Sequence, residues 1–423
     1  MQAFPRIKDV ERITLRVPFT PRCQPWNALL VWQWQIVEVT RITADVPDLV
    51  GYGETLPHYT WGRVSDAAVA RVKGRNPAEF LGDDTLGAGL QMAVYDLVGK
   101  ALGVPVHRLL NLPRVRSWCP IAWWNTKMPP EVLAEEAKEA LAQGYTTHKF
   151  KARPWFDVYA QVEAIGAVTP PHYRVDVDWN SMLLDAGNAA PVLQELDKFE
   201  RVAIYEGPIP QTDVEGYQHL RRKTNRPLAI HFGSPPFPTA VRQEMCDGFV
   251  LCSGVSGVLR AGLLAGDFAK PFWLQLVGTG LTTALMAHLG AVLPLARWPA
   301  ITCMNNYSDD LLAEPLTIRG GYVGVPDGPG LGVSVDETAL TRYRMAPPYE
   351  IPEPRHVLTV VWPGGRKALY TSMADQCWPA FLAGNHPVQE RGARLEVRVD
   401  DGTTAWRELY EQTQRAPGQP AGT

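Results

Sequence analysis

The chain has 423 residues, 46% of them hydrophobic and 20% charged, with 14 tryptophans. That composition excludes disorder, collagen and coiled coil, and at roughly 150 residues per domain the length leaves room for two or three domains. Lys and Arg number 41 against 44 Asp and Glu, a net charge of −3, and no apolar run approaches the roughly 18 residues of a membrane span, so neither nucleic acid nor membrane is an expected partner.

Residues 1–117 carry two alternating segments, Arg12–Val17 and Leu29–Thr40, and then two helical stretches, Ser65–Lys73 and Leu86–Leu102, which predicts an α+β domain. Met1 to Arg16 lacks the apolar stretch of a secretory signal. From Trp118 onward a rhythm sets in. Short apolar or β-branched runs stand at Trp118–Ala122, Thr147–Lys151, Tyr173–Asp178, Val202–Glu206, Leu228–His231, Gly248–Leu251, Phe272–Leu276 and Ala300–Cys303, with starts 20–29 residues apart. The segments between them read as helices. Pro130 to Gln143 is rich in Ala, Leu and Glu, opens on prolines and stops at Gly144. Eight strand–helix units over residues 118–312 predict a (β/α)₈ barrel, with catalytic groups at the C-terminal strand ends. The rival, a doubly wound sheet, would want a glycine fingerprint after its first strand, and there is none. Residues 350–423 resume with Val357–Val361, turns at Pro363-Gly364-Gly365 and Asp400-Asp401-Gly402, and the polar end APGQPAGT, which predicts a small extension with a disordered tail. Six cysteines, Cys23, Cys119, Cys246, Cys252, Cys303 and Cys377, form no C-x-x-C pair and read as reduced thiols of a cytoplasmic protein.

The chemistry is concentrated where these strands end. Lys149 and Lys151 are two apart and share a face, as do Asp176, Asp178 and Asn180. Glu206 closes the fourth strand. On the fifth, Leu228, Ile230 and Phe232 share the helix-facing side, which leaves Ala229 and His231 pointing inward. Taken singly, a charged strand end also reads as a surface ion pair, and His231 reads equally as a core histidine. Taken together, two lysines, two carboxylates and a histidine at one mouth suit a divalent cation, Mg²⁺ above all, and abstraction of a proton beside a carboxylate. A nitrogen ligand such as His231 shifts the preference toward Mn²⁺ or Zn²⁺.

Six stretches carry a resemblance. They are GYGET (51–55), LQMAVYDLVGKALGVPVHRLL (90–110), GYTTHKFK (144–151), DVDWN (176–180), YEGPIP (205–210) and AEPLTIRGGYVGVPDGPGLGV (313–333). On these the chain resembles the enolase superfamily, in its mandelate racemase and muconate lactonizing group. The resemblance implies a modified TIM barrel closed by an N-terminal α+β cap, residues 313–349 returning to that cap, a homo-oligomer, and a small carboxylate substrate. It puts the family's base on Lys151 with Lys149 beside it, and metal ligands on Asp178 and Glu206. The third carboxylate would fall on Phe232, with His231 as the neighbouring candidate. The sixth-strand aspartate would fall near Cys252 or Ser253, the seventh-strand histidine on Gln275, and the eighth-strand glutamate near Met304 or Asn305. With a base on one side only, dehydration of a sugar acid to a 2-keto acid is favoured over racemisation. A racemase or a sugar-acid-binding protein without catalysis are the alternatives. Asn180 and Gln275, with Trp26, His58, Tyr59 and Trp61 from the cap, are the implied substrate contacts.

Overall fold

A computed structural model describes residues 4–59 and 62–419 of the chain. Trp61 and the last four residues lie outside the described residues.

The N-terminal unit is a three-stranded antiparallel sheet, Ile7–Arg16, Ile36–Ala44 and Val50–Thr55, packed on the helix Ala88–Leu102. The GYGET segment explains its glycines here. A Cβ on Gly51 would stand 2.4 Å from the Ala93 carbonyl oxygen, and one on Gly53 2.2 Å from that of Gly89, so only glycine lets the helix lie directly on this strand. The helix ends at Gly103, whose φ of +69° closes it in the left-handed region.

Seven parallel strands then pair in sequence order. They are Trp123–Asn125, Thr147–Lys151, Arg174–Asp178, Val202–Glu206, Leu228–His231, Gly248–Leu251 and Phe272–Leu274. The eighth position is held by single parallel bridges, Gln275 to Ile301 and Ala300 to Ile121, which carry the sheet back toward its first strand. This is a modified TIM barrel. The helices fall as the pattern predicts. Pro130–Ala142 starts on a proline, and Gly144 follows it at φ +87°.

The first strand is displaced from its expected place. The run Trp118–Ala122 does not form it: Trp118–Pro120 pairs antiparallel with Tyr322–Gly324, and the barrel strand begins at Trp123. The segment that was expected to return to the cap therefore also adds strands beside the barrel, while its helix Glu337–Tyr343 packs on the first strand of the cap.

The C-terminal extension is a three-stranded antiparallel sheet, Lys367–Tyr370, His356–Val361 and Arg394–Val399, with a helix Thr404–Arg415 capped by the Thr403 side chain. Within the segment read as a tail, Gly418 donates to the Leu369 carbonyl at 2.7 Å. Leu358, Val360, Tyr370 and Phe381 form one buried cluster with Trp155, Phe156 and Met182 of the barrel and Leu29 of the N-terminal unit. The extension is thereby seated over the second and third strand ends.

Candidate active site

Side chains alternate across a strand, so Lys149 and Lys151 reach the same mouth from the second strand and Asp178 and Glu206 join them from the third and fourth. Lys149 is 1% exposed. Its Nζ touches Glu206 Oε2, stands 3.3 Å from Asp178 Oδ2 and donates to Gln275 Oε1 at 3.1 Å. Lys151 Nζ touches the same Asp178 Oδ2. The two cations and two carboxylates make one buried network.

Burial opposes the charge on Lys149, but Glu206 and Asp178 outweigh it and hold the ammonium well above the ordinary lysine range. Lys151 goes the other way: burial, reinforced by the charge of Lys149, brings it below that range despite Asp178. Burial acts against the Asp178 carboxylate too, and the two lysines nonetheless keep it well below the usual carboxylate range. Asp176, expected on the same face, lies deeper, and burial raises it to about 7. It is opposite Lys149 in register, and its Oδ1 has no hydrogen-bond partner among the described residues.

The fifth strand divides as predicted. Phe232 stacks on Phe237, ring centroids 5.2 Å apart, on the helix side. His231 turns inward, with Nε2 3.3 Å from Glu206 Oε1 and Nδ1 3.9 Å from Cys252 Sγ. Burial works against its charge, but Cys252 and the Glu206 carboxylate raise it to about 9. Gln275 lies between the lysine and the cap, donating to the Tyr59 hydroxyl at 3.2 Å. Asn305 does not face the chemistry. Its side chain exchanges hydrogen bonds with the Trp124 backbone at 3.1 and 2.8 Å and tethers the first strand.

Part of this network borders a cavity of about 270 Å³ between barrel, cap and extension, near the lower end of small-ligand pockets. Lys151, Asn180, His231, Gln275 and Tyr59 line it. Trp26 does not: it packs edge-on against Phe156, 6.1 Å between centroids, and His58 is exposed outside the lining. From the cap, Trp34 lines the cavity where these two do not, and it stacks on Trp124 at 5.9 Å. Among the lining residues that escaped the sequence reading are Lys127, Arg153 and Trp378. Arg153 continues the period of two begun by Lys149 and Lys151, a signal that was available.

The donors offered to a divalent cation are two carboxylates and one imidazole nitrogen. Among the described residues, no group of three or more His, Cys, Asp or Glu side chains is set closely enough to hold a metal ion. As placed, the carboxylates hold the Lys149 ammonium.

Comparison with known proteins agrees with this architecture. The family described as Enolase C-terminal domain-like matches residues 132–339. D-gluconate dehydratase of Thermoproteus tenax is 30% identical over 305 residues, 65% of this chain, and the chain spans 60% of that protein's length. The crystal structure of 2-chloromuconate cycloisomerase from Rhodococcus opacus 1CP superposes with a TM-score of 0.66 at 20% identity, covering 81% of this chain and 100% of that one. An enolase from Thermobispora bispora, complexed with magnesium and formate, gives 0.67 at 21% identity, covering 81% of this chain and 92% of that one. The barrel segment that carries the lysines and carboxylates, residues 132–339, belongs to the enolase superfamily, in its mandelate racemase and muconate lactonizing group.

Proposed function

We propose that the protein removes the proton α to the carboxylate of a polyhydroxy acid and eliminates water to give a 2-keto acid. What supports this reading is the geometry: Lys149 and Lys151 share the Asp178 carboxylate at the mouth, and the neutral Gln275, at the position where the resemblance puts the family's histidine, accepts from Lys149. Lys149 would hold the substrate carboxylate. Lys151 would take the α-proton and return it to the departing β-hydroxyl, which leaves as water. The resulting enol then tautomerises to the ketone. Gln275, an amide without useful basicity, would donate to or accept from a substrate hydroxyl, with Asn180 and Tyr59 as further contacts. A dehydratase among the relatives accords with this, at an identity that leaves the substrate open.

Asp178 and Glu206, with His231 Nε2, are the residues that would hold Mg²⁺, or Mn²⁺ or Zn²⁺ given the nitrogen. Such a cation supplies charge to stabilise the substrate carboxylate as the proton leaves. All six cysteines are free, in accord with a reducing compartment such as the cytoplasm.

A specific observation favours a second reading. The Lys149 ammonium in contact with Glu206 and near Asp178, without a third carboxylate, suits a protein that binds acid sugars and no longer turns them over. Proton exchange in D₂O with a panel of acid sugars, run alongside calorimetry of divalent cations, separates the two. Exchange that Lys151→Ala abolishes supports the lyase. Binding of an acid without exchange, with or without metal, replaces it by the binding protein.

A further inference from the structure

One wall of the cavity is built from two basic side chains whose hydrogen-bond acceptors, among the described residues, are neutral or missing. Lys127 stands two residues past the first barrel strand and is 1% exposed. It borders the cavity, and its Nζ has no hydrogen-bond partner among the described residues. Arg153 is 3% exposed. Its Nη1 donates to the carbonyl oxygens of Ala152, Asp178 and Trp179 at 2.6, 3.3 and 3.4 Å and its Nη2 to Asn180 Oδ1 at 2.6 Å, while Nε has no hydrogen-bond partner among the described residues. Every acceptor it has is neutral. Trp378, contributed by the C-terminal extension, completes this wall with its ring centroid 5.7 Å from the Arg153 guanidinium.

A buried amine without an acceptor is unfavourable and calls for an explanation. Burial and the neighbouring Arg153 charge push Lys127 well below the ordinary lysine range, and an anion placed beside it would favour its protonated form. A planar guanidinium already fixed by backbone carbonyls is preorganised for an oxyanion and loses little freedom on binding one.

We propose that Lys127 and Arg153, walled by Trp378, form a subsite for a second anionic group of the substrate, a carboxylate or phosphate at the end of the chain remote from the reacting carbon. The inference rests on the proposed function, in which the first carboxylate lies at Lys149. The barrel supplies both basic side chains, and the extension supplies the Trp378 ring beside them.

Calorimetry with gluconate, glucarate and 6-phosphogluconate tests this, since the three differ at carbon six in a neutral hydroxyl, a carboxylate and a phosphate. The wild type is expected to bind at least one of the two longer anions about tenfold or more tighter than gluconate, the scale of a hydrogen bond to a charged group, and which one identifies the anion. In Lys127→Met, or Lys127→Gln should the methionine variant misfold, the preference is expected to fall below about threefold. A wild type that binds all three alike, or a variant that keeps the preference, overturns the subsite. If none of the three binds, the fault lies with the proposed function, and inorganic phosphate decides: one-to-one binding lost in Lys127→Met sustains the subsite, and no phosphate binding ends it.

Discussion

The two sides of the cavity treat buried charge in opposite ways. Around Lys149 and Lys151 every amine meets a carboxylate, Asp178 or Glu206. Around Lys127 and Arg153 the acceptors are neutral or missing. Burial does not distinguish the two sides, since Lys127 and Lys149 are each 1% exposed. The difference lies in who supplies the counter-charge: on one side the protein, on the other a ligand. A satisfied ion network holds reacting groups in place before substrate arrives, whereas an unsatisfied one reserves its interaction energy for binding.

The largest effect is expected at the base. Lys151→Ala should slow α-proton exchange by about a thousandfold, within the range ascribed to a positioned general base, as read by NMR in D₂O. Exchange at the wild-type rate would remove the paired side from the chemistry. Next comes the stability of the pairing. Asp178→Asn strips both lysines of their shared carboxylate, and the loss should be about 3 kcal/mol in urea unfolding. An unchanged midpoint would mean that the pairing is an accident of geometry.

The unpaired side should respond with the opposite sign. Lys127→Met removes a buried amine that has no acceptor and keeps the length of the chain, so the ligand-free protein should gain about 1–2 kcal/mol. A loss would show that Lys127 has an acceptor in solution. The smallest effect is its pH signature. Because the folded pKa of Lys127 is depressed, the unfolded chain binds a proton that the folded chain leaves off at any pH between that value and the ordinary lysine value. Stability from this group therefore rises with pH toward about 10, by at most about 1.4 kcal/mol per pH unit, and is lost as pH falls. Lys127→Met should flatten that slope between about pH 8 and 10, measured as urea midpoints. Equal slopes in both proteins would mean that the lysine is charged and solvated.

Much of the paired side was legible in the chain itself. A strand repeats its facing every second residue, so Lys149 with Lys151 and Asp178 with its neighbours declare a common face without reference to anything distant. The same rule separated His231 from Phe232, and the ring stack of Phe232 on Phe237 bears out that division. It would also have reached Arg153 had it been carried one step further. The displaced first strand shows where local pattern fails. Trp118–Pro120 reads as strand and is strand, yet its partner is Tyr322–Gly324, some two hundred residues away in the chain.

What the sequence determined alone was what depends on neighbours along the chain: the alternation that builds parallel strands, the glycines and prolines that end helices, and the faces on which charged residues emerge. What only the tertiary structure decided was which of those residues share a space. Trp34 rather than Trp26 or His58 faces the cavity, and Trp378 reaches Arg153 across 225 positions of sequence. The physical reason is that an unpaired buried charge is defined by what is missing around it. Lys127 is an ordinary lysine in the sequence, and it became exceptional when folding placed it in a cavity wall without an acceptor.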